Sequence, residues 1–166
     1  MNEAETPLKR ILAIDPTSKG FGYIVLEDSD FLVDWGIKEA RDNKNTRCLK
    51  QIRYLIELYQ PHVVAVEDCS KHGTRRSERV RDLVAGIIKL AEEQGIRSRQ
   101  VLRQKVRQAF ESFGATTKHE IAQAIARRFP EIADRLPPKR RPYMSEDARM
   151  AIFGAAAIAL TVLTTV

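Results

Sequence analysis

Cysteine is scarce in this sequence, and its two copies, Cys48 and Cys69, form no CxxC or Cys/His spacing. A zinc finger or a disulfide framework is therefore excluded, and none of the 3 histidines has a partner at zinc spacing. We interpret both cysteines as reduced thiols, as is usual in the cytoplasm.

Long hydrophobic runs are also lacking. The longest, AIFGAAAIALTVLTTV, has 16 residues, whereas a bilayer-spanning helix needs about 20. The first residues after Met1 are acidic and polar and do not resemble a secretory signal. We therefore expect a cytoplasmic protein without a membrane span, in which the final apolar run is a core helix.

Negative charge is in deficit. The 28 Lys and Arg outnumber the 22 Asp and Glu, which gives a net charge of +6, as expected for a protein whose partner is a polyanion. A length of 166 residues with 43% hydrophobic and 30% charged residues is typical of one soluble globular domain. We predict a single domain over residues 1–166.

The order of apolar patterns predicts an α/β fold with a mixed five-stranded sheet flanked by helices. Residues 10–15, 21–27 and 31–40 form an antiparallel three-strand meander, and a helix over 47–59 leads to a buried parallel strand, HVVAVEDCS. Further patterns predict helices over 77–94 and 117–129, a short strand in IRSRQVL, and a last helix that begins near Ser145.

Acidic residues stand at the ends of two of these strands. Asp15 ends the first and Glu67 the fourth, and in this topology the two strands are commonly neighbours. Asp147 and Glu146 would join them if the last helix crosses the same end of the sheet. Such a cluster needs a hard divalent cation, and two Mg²⁺ or Mn²⁺ ions can clamp the oxygens of a phosphodiester. The alternatives are a turn-forming role for Asp15 and a helix-capping role for Asp147.

Three segments carry a resemblance to a known family. ILAIDPTSKGFGYIVLE resembles the first hairpin of RuvC-type Holliday-junction resolvases, and VVAVED resembles their fourth strand. VRQAFESFGATTKHEIAQAI is similar to the family's segment in which a basic residue, a glycine turn and a lysine precede a helix. The resemblance spans Ile11 to about Leu160.

The resemblance implies an RNase H-like fold, a homodimer and metal-dependent cleavage of branched DNA. It implies that Asp15 and Glu67 are the first and second metal ligands. Arg107 and Lys118 match basic positions near the scissile phosphate, and Lys118 would steady the phosphate charge.

The C-terminal acids depart from the family's pattern of two aspartates three residues apart. We predict Asp147 as the third metal ligand, with Glu146 and Asp68 as candidates for the fourth. If the small residues of the last helix set the register instead, Gly154 and Ala151 occupy the acid positions. A second departure follows Glu67, where DCSKHG stands in place of the family's aromatic.

Basic residues follow the presumed active-site strand. We expect them to contact DNA phosphates because of their position, the alternative being a solvated helix face. The predicted DNA contacts are Lys71, Arg75, Arg76, Arg79, Arg107 and Lys118.

Two functions remain open from the sequence. The leading one is a Mg²⁺- or Mn²⁺-dependent endonuclease of branched DNA. The alternative is an RNase H-like protein that binds nucleic acid without cleaving it, or a nuclease that acts on RNA or on other DNA structures.

Overall fold

A computed structural model describes residues 9–69 and 76–164, and five strands within these ranges form one mixed sheet. Their order across the sheet is β3-β2-β1-β4-β5. The α/β architecture predicted from the sequence is confirmed. The strands are β1 (Arg10–Pro16), β2 (Gly20–Glu27), β3 (Phe31–Glu39), β4 (Val63–Glu67) and β5 (Arg97–Val101).

The predicted meander is formed by β1, β2 and β3, which pair antiparallel. The β1–β2 turn closes where Thr17 N donates to Gly20 O at 2.8 Å and Gly20 N donates to Thr17 Oγ1 at 3.0 Å. A Cβ on Gly20 would overlap the carbonyl oxygen of Lys38 in β3. Glycine at this position therefore lets the edge strand approach closely.

The fourth strand lies beside the first, as predicted. β4 runs parallel to β1, with Ile11 opposite Val63 and Ala13 opposite Ala65. The chain reaches β4 by a helical crossover, which is the usual connection between parallel strands. The C-terminal ends of β1 and β4 consequently lie side by side at one end of the sheet.

Helices cover both faces of the sheet. α1 and α2 pack on one face in a core that includes Leu12, Ile14, Val64 and Val66. The other face carries a core built mainly from α4 and α5. The helices are α1 (Lys44–Tyr59), α2 (Glu78–Glu93), α3 (Arg103–Glu111), α4 (Lys118–Arg128) and α5 (Met150–Thr164), with a 3₁₀ helix at Pro130–Arg135.

Two helix N-termini follow directly from the local sequence. Ser77 caps α2 by accepting a hydrogen bond from Val80 N, and Thr117 with Glu120 forms a capping box at α4. The sequence patterns did not predict α3 or the 3₁₀ helix. α3 buries only Phe110 fully, so its apolar periodicity is too weak to be recognised.

The last helix begins at Met150 and not near Ser145, so that prediction was wrong. Asp147 Oδ1 accepts a hydrogen bond from Arg149 N at 2.9 Å, and Asp147 O accepts one from Met150 N at 3.0 Å, which are bonds of the kind that a helix-capping residue makes. The later start brings Gly154 into the first turns of α5.

Small residues let α5 lie directly on the sheet. A Cβ on Gly22 of β2 would come within 2.5 Å of the Ala151 Cβ, so the backbones of strand and helix nearly touch. Most of α5 is buried, which confirms the prediction of a core helix. No helix within residues 9–69 and 76–164 has the length and apolar content needed to cross a bilayer.

Candidate nucleic-acid groove with a carboxylate pair

Asp15 and Glu67 lie side by side at the edge of the sheet where β1 and β4 end. Ala13 faces Ala65 across the pair of strands, so the same register sets Asp15 level with Glu67. Alternation along each strand directs both side chains to the face that α5 covers, because Ala13 and Ala65 belong to that core. The predicted meeting of these two acids is therefore found in the structure.

Arg76 joins the two carboxylates. Its Nη2 donates to Asp15 Oδ1 at 2.9 Å, and its Nε donates to Glu67 Oε2 at 2.8 Å. Its Nη1 also donates to Pro16 O at 3.0 Å. We call Asp15, Glu67 and Arg76 the floor triad. The sequence predicted a phosphate contact for Arg76, whereas its guanidinium here bonds to protein acids.

Burial dominates the electrostatics of the floor triad. Asp15 is 6% exposed, and desolvation raises the pKa of its carboxyl above the ordinary value, while Arg76 and Lys118 oppose that rise. The two carboxylates raise the pKa of Arg76 further above its ordinary value against the effect of burial. The guanidinium is therefore a permanent positive charge between two acids.

Gly154 of α5 faces Asp15 on the side away from Arg76. A Cβ at this position would overlap Asp15 Oδ2 and would lie 3.0 Å from Asp15 Cγ. The alternative register, in which Gly154 occupies a family acid position, is thus the one that the structure places at the carboxylate pair. The helix contributes no acid there.

A groove of about 1220 Å³ opens above the floor triad. Its walls come from the start of α3, the α3–α4 turn, the first turn of α4 and the N-terminal half of α5, whose side chains there are largely buried. Basic groups on the wall are Arg103, Arg107 and Lys118. A groove with acids at its base and cations on its wall can hold a phosphodiester backbone over the carboxylates.

Two further ion pairs lie outside the floor triad, and we call them the outer pairs. Lys118 Nζ contacts Glu146 Oε1, and both residues line the groove. Asp147 accepts from Arg149, with Nη2 to Oδ2 at 2.7 Å, and hydrogen bonds from Arg149 lower the pKa of Asp147. Asp147 does not line the groove, so the structure does not bring the predicted third ligand to Asp15 and Glu67.

The remaining predicted site residues have different positions. Asp68 lines the groove beside Glu67. Arg79 donates from Nη2 to Thr17 O at 2.7 Å and from Nη1 to Asn45 Oδ1 at 3.0 Å, which ties α2 to the β1–β2 turn and α1. Lys71 and Arg75 lie outside the described residues.

The predicted metal site is matched in part by these donors. Among residues 9–69 and 76–164, no group of three or more His, Cys, Asp or Glu side chains is placed to hold a metal ion. Mg²⁺ is commonly held by one or two carboxylates together with water and substrate phosphates, and Asp15 with Glu67 supplies such a pair. These two donors fit one ion, and the second ion stays a prediction.

Sequence reasoning missed the bridging role of Arg76. An arginine shortly after an active-site strand reads equally well as a phosphate contact, and only the folded geometry shows which acids it meets. Gly154 carried a usable signal, because the run of small residues in GAAAIAL shows where α5 lies closest to the sheet.

Comparisons with known proteins agree with the fold. No protein-family model matches the chain, and no curated protein matches it either. Among solved structures, Thermus thermophilus RuvC in complex with a Holliday-junction substrate is similar, with a TM-score of 0.68 and 18% identity over 95% of this chain and 94% of that chain.

Two other resolvases share the architecture. The yeast mitochondrial Holliday-junction resolvase Ydc2 has a TM-score of 0.56 and 15% identity, over 95% of this chain and 78% of its own. The fowlpox virus resolvase, in complex with its junction DNA, has a TM-score of 0.55 and 13% identity, over 94% and 99% of the two chains. The fold of this protein is therefore that of the Holliday-junction resolvases, as the resemblance implied.

Proposed function

We propose that this protein is a divalent-metal-dependent endonuclease that binds branched DNA in the groove above the floor triad. The observation that carries the proposal is the convergence of Asp15 and Glu67 at the base of a groove with basic walls. The likeness of the fold to resolvases solved with junction DNA supports branched DNA as the substrate.

Each residue then has a distinct task. Asp15 and Glu67 would hold one Mg²⁺ or Mn²⁺ ion, which supplies Lewis-acid activation of water and phosphate when bound. Arg107 and Lys118 on the wall would pair with DNA phosphates and stabilise negative charge on the reacting group. A second ion, with Asp147, Glu146 or Asp68 as its ligands, remains a prediction without a described ligand set.

A second candidate function is binding of branched DNA without cleavage. Two observations favour it: Gly154 supplies no third acid, and Arg76 occupies the space between the two acids that are present. Action on RNA or on other DNA structures would leave the same site in use and differ only in which substrate the walls accept.

The proposal includes a homodimer, a single domain over residues 1–166 and a cytoplasmic location, which the resemblance and the composition suggest. A four-way junction has two strands to cleave, so two copies of one site match its symmetry. Sedimentation of the protein with and without junction DNA would test the dimer directly.

Cleavage assays test the function itself. Labelled four-way junction, flap, linear duplex and RNA:DNA hybrid are each incubated with protein in Mg²⁺, Mn²⁺ or EDTA. We expect metal-dependent cleavage with preference for the junction. Asp15→Asn and Glu67→Gln should each lower the rate by about 10²-fold or more, since even partners of metal ligands cost 10- to 100-fold, while DNA affinity changes little.

The Asp147→Asn variant decides between the sequence prediction and the geometry. A third ligand would cost as much activity as Asp15, whereas a residue paired only with Arg149 should cost little. Cleavage that persists in EDTA, or in Asp15→Asn, would refute the metal mechanism. Tight junction binding with no cleavage in either metal would select the second candidate.

A further inference from the structure

The Arg76 guanidinium lies between the Asp15 and Glu67 carboxylates, where a metal ion held by both acids would also lie. The oxygens that face a shared cation, Asp15 Oδ1 and Glu67 Oε2, already accept hydrogen bonds from its guanidinium at 2.9 and 2.8 Å. A bound Mg²⁺ would lie about 2.1 Å from such oxygens. An ion on these two oxygens would lie in the space that the guanidinium now fills and would be repelled by its like charge, so the two cations compete for these oxygens.

Several hydrogen bonds hold Arg76 at the carboxylate pair. The guanidinium bonds to two acids and also donates to Pro16 O at 3.0 Å. Loss of one partner from a buried ion pair is strongly unfavourable because it leaves the other charge uncompensated. Metal binding must overcome these bonds, so the affinity of the metal-free site for a divalent ion is lowered by the presence of Arg76.

The position of Arg76 allows its side chain to move away from the two carboxylates. It precedes Ser77, the cap of α2, and so lies outside the helix. Its side chain is 31% exposed and lines the groove. A guanidinium matches the geometry of a phosphate as well as that of a carboxylate, so a DNA phosphate in the groove offers it a second set of acceptors.

We infer that Arg76 is a built-in competitor of the metal ion, which occupies the carboxylate pair in DNA-free protein and exchanges onto a DNA phosphate when substrate enters. The inference rests on the proposed function. DNA and metal then bind with positive coupling, because each favours the state in which Arg76 has left the acids. The protein without DNA is held in a metal-poor, inactive state.

Metal binding in the absence of DNA is the direct test. Free Mn²⁺ is measured by electron paramagnetic resonance during titration of wild type, Arg76→Gln and the double variant Asp15→Asn/Arg76→Gln. We expect weak binding to wild type, binding to Arg76→Gln tighter by about tenfold or more, and loss of that gain in the double variant. A tenfold gain corresponds to about 1.4 kcal/mol, well within the effect of removing one partner of a buried ion pair.

Arg79→Gln is the matched control. Arg79 is a neighbouring arginine that also bonds to the β1–β2 turn, but its partners are Thr17 O and Asn45 Oδ1 and not the two acids. Its removal lowers the positive charge near the site by the same amount. Its Mn²⁺ affinity should stay within about threefold of the wild-type value. An equal gain in Mn²⁺ affinity in both variants would show that loss of any nearby positive charge strengthens metal binding, and it would overturn the inference.

Folding of the variants is checked by circular dichroism. If Arg76→Gln does not fold, Arg76→Met takes its place, because it also removes the charge but keeps a long unbranched side chain, and it should also bind Mn²⁺ more tightly than wild type. Unchanged affinity in a folded Arg76 variant would refute competition. Stoichiometric binding of one Mn²⁺ to the DNA-free wild type at micromolar concentration would do so without any variant.

These outcomes are separate from those of the proposed function. If Arg76→Gln gains metal affinity but the wild type cleaves no substrate in either metal, the competition stands and the nuclease proposal fails. If wild type cleaves junctions while metal affinity is indifferent to Arg76, the nuclease stands and the competition fails.

Discussion

The floor triad and the outer pairs place opposite charges together in very different surroundings. The side chains of Asp15, Glu67 and Arg76 are 9%, 15% and 31% exposed. In the outer pairs, Lys118 and Glu146 are 45% and 46% exposed, and Arg149 and Asp147 are 41% and 37% exposed. Bulk water can replace a lost partner in the outer pairs, but only poorly in the floor triad.

This difference separates ion pairs that exchange partners at small cost from ion pairs that open only when another charge replaces the lost partner. Exposed ion pairs contribute little to stability and exchange partners readily, so Lys118 can leave Glu146 for a phosphate at small cost. Buried acids depend on their partner, so Asp15 relies on Arg76 for its compensating charge in this structure.

Removal of Arg76 should have the largest effect on stability. In metal-free buffer, Arg76→Gln leaves Asp15 buried beside Glu67 without its cation. We expect the free energy of unfolding in urea to fall by about 2–3 kcal/mol, somewhat less than for a fully buried pair because Arg76 is partly exposed.

Arg149→Gln supplies the comparison from the outer pairs. We expect it to change the free energy of unfolding by less than about 1 kcal/mol. Equal losses in Arg76→Gln and Arg149→Gln would break the distinction between the two regions. Addition of Mn²⁺ should restore part of the stability of Arg76→Gln, because the ion replaces the missing charge.

Gly154→Ala should have an intermediate effect. The added methyl group would overlap Asp15 Oδ2 in a tightly packed part of the molecule, and overpacking of this kind costs about 1–3 kcal/mol. The measurement is again the free energy of unfolding in urea, alongside Mn²⁺ affinity, which should also change because Asp15 must shift.

Gly86→Ala is the control for helix propensity. Gly86 lies in α2, and its added methyl would meet the end of the flexible Leu49 side chain, with Cδ1 at 2.9 Å and Cδ2 at 3.2 Å. Alanine is a better helix former than glycine by about 1 kcal/mol, so Gly86→Ala should be neutral or stabilising. A stabilising Gly154→Ala would show that the contact with Asp15 is not tight.

The Lys118–Glu146 pair should show the smallest effect. In a double-mutant cycle of Lys118→Gln and Glu146→Gln, we expect a coupling energy below about 1 kcal/mol that weakens as salt is raised. Junction affinity should fall in Lys118→Gln and rise slightly in Glu146→Gln, since the second change frees Lys118 for phosphate. A large, salt-independent coupling would place this pair with the floor triad.

Most of the sheet could be predicted from the sequence because apolar runs identify its strands and turn-forming residues separate them. β1 and β4 are continuous apolar runs that each end in an acid, and Pro16, Thr17 and Gly20 mark the turn after β1. The adjacency of Asp15 and Glu67 follows from connection rules for parallel strands. Asp15 and Glu67 could therefore be predicted as neighbours from the sequence alone.

The rest depended on tertiary geometry that local patterns do not contain. We predicted a start of α5 near Ser145 because Ser145, Glu146 and Asp147 resemble a helix N-terminus, but the first hydrogen-bonded turn begins at Asp147 and the helix itself at Met150. That shift moved the position opposite Asp15 from an acid to Gly154. The partner of Arg76 could not be read from spacing, because its two acids are 61 and 9 positions away in the chain.

The contact between Gly154 and Asp15 makes the present form of the site hard to reverse. An aspartate introduced at position 154 would bring its own Cβ into the space that Asp15 Oδ2 now fills. Asp15 would have to move first, because Ala151 packed against Gly22 leaves α5 little room to withdraw from the sheet. A third acid on this helix would therefore displace one of the two acids that it was meant to join.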